Sequence, residues 1–104
     1  MASLLAAALL STNVLAGDLE QLCAAGGYYS GTQAGFMNEL ANYILHERGE
    51  LRNSKCKALW QAAYEVGERV SKKGQLKPAD SAIFDDVSAF RKRVYSSIAK
   101  GAGY

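Results

Sequence analysis

The stretch CAAGGYYSGTQAG, residues Cys23 to Gly35, decides the fold. It opens on one of the two cysteines of the chain and carries Gly26, Gly27, Gly31 and Gly35. Glycine weakens a helix interior, so the Gly26-Gly27 pair predicts a break. Upstream, Asp18-Leu19-Glu20-Gln21 reads as a helix start, with Asp18 as cap and Gln21 three residues on. The first helix is therefore expected to be short and to falter at Gly26-Gly27. Ser30-Gly31-Thr32-Gln33 offers a second capping box. Gly27, Gly31 and Gly35 recur every fourth residue, a spacing that makes a groove on a helix. The groove suits either close internal packing or a docking partner helix.

Outward from this stretch the punctuation is helical. Arg48-Gly49, Lys73-Gly74 and Lys100-Gly101 each place a cation and then a glycine where a helix would end. Phe36, Leu40, Tyr43 and Ile44 share one face of a second helix. Asn53 or Ser54 can cap a third, striped by Cys56, Leu59, Trp60, Ala63, Gly67 and Val70. Pro78 suits the first turn of a fourth, with Ile83, Val87, Phe90, Val94 and Ile98 at steps of three and four. Strand alternation is absent. The expected fold is all-α: a small bundle of about four helices, one short and three longer.

Residues Met1 to Ala16 contain no charged side chain, and the run Leu4 to Leu10 has the length of a signal h-region. Val14-Leu15-Ala16 suits a signal peptidase. Residues 1–16 are thus expected to be a cleaved signal peptide and 17–104 a single helical domain. Asp18 follows Gly17 where a lipoprotein would need cysteine. The remaining chain has no apolar run long enough to cross a bilayer, so a periplasmic protein is expected.

A domain this small benefits from a staple, and Cys23 and Cys56 allow only one intramolecular disulfide. Closing that loop would stabilise the fold by roughly 3–4 kcal/mol in the chain-entropy model. The geometry is demanding. If the second and third helices form a tight hairpin, Cys56 lies near residue 45 and Cys23 on the order of 20 Å away. A bridge requires Cα atoms within about 7 Å. Either the Gly49–Asn53 connection must let the third helix cross back, or the Gly26–Gly31 region must redirect the first.

Chemistry-bearing motifs are few. No Cys-x-x-Cys occurs and His46 is the only histidine, so no metal or other cofactor is implied. Asp85 and Asp86 are adjacent and project differently on a helix. No catalytic signature is present, and an enzyme is not expected. Tyrosines favour interfaces because they bury area while keeping a polar handle. Tyr28 and Tyr29 cannot both point inward from one helical face, so one is expected as an exposed partner contact, beside Gly31 and Gly35.

All 12 lysines and arginines lie from Arg48 onward. Lys72, Lys73 and Lys77, with Arg91, Lys92 and Arg93, are candidates for a basic patch. Nucleic acid is not an expected partner of an exported chain. The basic amphipathic last helix could instead touch an anionic membrane surface peripherally.

The leader MASLLAAALLSTNVLA, the chain length and the cysteine-poor mature part resemble the small exported helical proteins of conjugative plasmids, the KikA type. That resemblance implies an envelope protein accessory to a type IV secretion apparatus, or one affecting the host, and assigns no role to individual residues. CAAGGYYSGTQAGFM, with Cys56 later, is similar to the Cys and Gly-Tyr-x-x-Gly helix of the Rap/Tai immunity proteins of type VI secretion. This second resemblance implies a periplasmic protein that blocks a toxin hydrolase. The expected partner is an envelope protein.

Overall fold

The computed structural model describes the backbone of residues 16–101 and the side chains of residues 19–97. Residues 1–15 of the expected signal peptide lie outside the described residues, as do the side chains of Asp18, Ile98 and Lys100. The described chain forms four helices: α1 (Ala16–Thr32), α2 (Gly35–Arg48), α3 (Ser54–Lys73) and α4 (Ser81–Gly101). Short 3-10 turns, Glu50–Arg52 and Pro78–Asp80, lead into α3 and α4. No strand occurs among the described residues. The fold is the expected all-α one.

The first helix differs from expectation. It does not falter at Gly26-Gly27 but runs through both for 17 residues, and α2 is the shortest at 14. Asp18 lies within α1 and not at its cap. Tertiary packing overrides the weak local propensity. Leu22, Cys23, Ala24, Ala25, Gly26 and Gly27 are all buried in succession. A helix buried on every side is the centre of its domain. The other three helices make their principal contacts with α1, on separate arcs of it. Gly26 and Ser30 face α2, Cys23, Gly27 and Gly31 face α3, and Gln21 and Tyr28 face α4.

The closest of these seams is α1 with α3. A Cβ on Gly27 would meet the backbone carbonyl oxygen of Trp60, and one on Gly31 that of Tyr64. A Cβ on Gly67 would meet the carbonyl oxygen of Tyr28. Only bare glycine lets two helix backbones approach this closely. Cys23 and Cys56 join the same seam as a disulfide with a Cα–Cα distance of 5.4 Å. The pairs Cys23–Cys56, Gly27–Trp60 and Gly31–Tyr64 share one sequence separation, 33 residues. Constant separation means that α1 and α3 run parallel.

Neither expected route to the disulfide operates. The chain reverses at Gln33 and Ala34, after α1, where Ala34 N–H donates to the Tyr29 carbonyl (3.1 Å) and Gln33 takes φ 56°. This is a left-handed helix ending, with glutamine in the place usually taken by glycine. Ser30 and Thr32 belong to the last turn of α1, and the α2 cap is Ala34 with no side-chain bond. The expected capping box is therefore absent. With the reversal this late, α2 runs back along α1 and brings residue 45 beside Cys23. Cys56 then needs only the turn at Glu50–Arg52 to reach it.

Asn53 caps α3 as expected, its Oδ1 accepting from Lys55 N–H (2.9 Å) and Cys56 N–H (3.2 Å). Gly49 and Gly74 end α2 and α3 in the left-handed conformation. The α3 stripe is buried at Cys56, Ala63 and Gly67, joined by Val66. In α4, Val87 and Phe90 are buried and Ile83 and Val94 half-buried, again as the spacing predicts. At the α3–α4 connection Asp80 accepts from Lys77 N–H (2.8 Å) and pairs with Arg69.

A candidate interaction surface

The structure uses the expected contact residues mainly for internal packing. Tyr29 is buried, and Tyr28 is half-buried with its ring edge-on to Tyr29 and Phe84, both at 5.6 Å. Burial pushes both phenols above their ordinary range, against the opposing pull of the Arg91 guanidinium. These tyrosines seal the α1–α4 seam. Gly31 packs against α3, so the glycine groove is already filled by the protein's own helix. Gly35 is out of line with it, at the start of α2 with φ 52° and open space around it.

The candidate basic patch divides in two. Arg93 donates to Gln21 (2.5 Å), near the start of α1. Lys72 and Lys73 lie beyond Gly67, which packs against Thr32 at the other end of α1. At 1.5 Å per residue the two groups are ~20 Å apart or more. Lys72 also lies 3.9 Å from Glu68 as a helical ion pair. Lys77 leads the turn before α4, and its backbone N–H, as noted, is bonded to Asp80. Arg91 and Lys92 are exposed on α4.

The conspicuous surface is on α2. Met37, Ala41 and Leu45 form its buried stripe. The expected stripe faces elsewhere: Phe36 is 60 % and Tyr43 63 % exposed. Leu40, half-buried, stands between them, and Ile44 is partly packed on the core. Residues 36, 40 and 43 share one face, turned by about 130° around the helix from 37, 41 and 45. Helix α2 thus has two apolar stripes and the fold covers one. Sequence periodicity showed the outer stripe but could not say which of the two faces inward.

Asn42 fixes this face in place. Its amide nitrogen is 3.1 Å from the Gly26 carbonyl, 2.9 Å from Ser30 Oγ and 2.9 Å from Asn38 Oδ1. Its oxygen accepts from Trp60 Nε1 (2.9 Å), and the Trp60 ring stacks on Tyr64 at 5.4 Å. One side chain therefore links α1, α2 and α3. Charge around the stripe is acidic. Glu39 lies three residues from Phe36 and four from Tyr43, Glu47 lies four beyond Tyr43, and both are exposed. Arg48 is bonded to Glu50 (3.1 Å).

Both sulfurs are bonded to each other and buried, leaving no free thiol. His46 is exposed on α2. Among the described residues no group of three or more His, Cys, Asp or Glu is placed to hold a metal ion. No described helix is long and apolar enough to cross a membrane. Asp86, with Asp85 and Glu20 nearby, is held above the usual carboxylate range by burial and by those two negative neighbours. No protein-family model matches the chain, nor does any curated protein or solved structure.

Proposed function

We propose that this chain is a non-enzymatic periplasmic binding protein, an accessory or host-affecting factor of plasmid conjugation, and that it meets its envelope partner through the outer face of α2. The observation that carries the binding role is the exposure of Phe36 and Tyr43 on a helix whose other face is fully packed. Aromatic side chains on a rigid helix contribute large contact area at small entropic cost. The buried disulfide is compatible with an oxidising, exported location. The link to conjugation comes from the KikA-type resemblance.

The acidic border of the exposed α2 face favours a second reading, an immunity protein that plugs the cleft of a toxin hydrolase. The two readings diverge in one experiment. A photo-crosslinking residue is placed at Tyr43, or at exposed Gln61 on α3 as control, in cells carrying the neighbouring genes. A defined adduct with an envelope or transfer component from Tyr43 but not Gln61 supports the conjugation role. A one-to-one adduct with a small hydrolase selects immunity. Equal labelling from both positions, or none, refutes α2 as the contact face.

A further inference from the structure

We infer that the partner presents to α2 a helix whose own apolar stripe is bordered by lysine or arginine. This rests on the outer face of α2 being the contact surface and adds the chemistry of what covers it. Phe36, Leu40 and Tyr43 form a ridge two turns long, the arrangement that packs against another helix by interlocking side chains. Two exposed carboxylates frame that ridge, Glu39 along one side and Glu47 in line with it at the C-terminal end.

The chain places no lysine or arginine before Arg48, and the Arg48 guanidinium is held by Glu50. A neutral or acidic partner helix would bring apolar surface to the ridge while desolvating or repelling these carboxylates. A basic one satisfies them. A second copy docking α2 on α2 in antiparallel fashion would oppose Glu39 with Glu39 near the centre of the contact, so self-pairing of this face is disfavoured.

The test uses the oxidised protein, isotopically labelled, and two synthetic amphipathic helices of about 14 residues. One has a leucine stripe edged by lysine, the other the same stripe edged by glutamate. The lysine peptide is expected to shift the amides of residues 36–47 and to bind about tenfold tighter than the glutamate peptide. Phe36→Ala with Tyr43→Ala should abolish the footprint. Glu39→Lys with Glu47→Lys should reverse the preference.

If both peptides bind α2 equally and the charge reversal changes nothing, the partner chemistry is wrong while the contact face stands. If neither footprint falls on α2, both fail. A footprint on α2 from anionic vesicles that exceeds that from the lysine peptide would overturn the inference in favour of a lipid surface. Concentration-dependent self-association through α2, read by sedimentation without peptide, would overturn it in favour of a second copy.

Discussion

At the scale of single residues, the fold depends on hydrogen atoms where other residues carry a Cβ. Gly31→Ala would push a methyl group into the Tyr64 carbonyl, and Gly27→Ala into that of Trp60. Each is expected to cost about 1–3 kcal/mol or more, since backbone must move to relieve the clash. Chemical denaturation of the oxidised protein measures it. Gln33 provides the opposite case. Its φ of 56° is strained for a side-chain-bearing residue, so Gln33→Gly should stabilise by about 0.5–1 kcal/mol in the same assay.

Asp80 and Asp86 make stability depend on pH in opposite senses. The Lys77 backbone N–H and Arg69 hold the Asp80 carboxyl below its ordinary range despite its burial. Its contribution is complete above the unfolded-state pKa and is lost as pH falls through the folded one. Asp86 is raised by burial and by its acidic neighbours, so its charge costs stability above its folded pKa. That cost shrinks as pH falls through the folded value and is gone below the unfolded one. Asp80→Asn should therefore weaken the protein at neutral pH and flatten its acid limb. Asp86→Asn should strengthen it at neutral pH and make no difference in strong acid. Denaturation midpoints measured from pH 7 down to about 3 decide both.

At the scale of elements, α2 is where stability and function separate. Phe36→Ser with Tyr43→Ser removes apolar surface already in water, so thermal stability should change by no more than about 0.5 kcal/mol while partner binding is lost. Leu45→Ala, at a fully buried position on the other face, should cost about 2–5 kcal/mol.

The helices differed in how plainly the sequence announced them. The stripes of α3 and α4 could be read because one face is apolar and the other charged. Helix α2 has apolar residues on both, and no local pattern tells the packed stripe from the exposed one. Helix α1 was the least legible, because its glycines argue for a break until α3 is laid against them. The same burial removed Tyr29 and Gly31 from the candidate contact surface. Phe36 and Tyr43 were visible in the sequence as members of one face of a helix, with no local signal to say whether that face packs inward or meets solvent.

At the scale of the whole molecule, three helices surround a small-residue centre, and a buried disulfide fixes the register of the closest pair. Parallel α1 and α3 cannot be joined by a short turn, so α2 is the return leg and its outer face is left to the surface. This arrangement requires Cys23 and Cys56 to be joined in the protein as cells make it. The most direct measurement is non-reducing peptide mass mapping of protein recovered from the cell envelope. It should find Cys23 linked to Cys56 within one chain and an amino terminus at Gly17. Two free thiols on a chain still beginning at Met1 would contradict it.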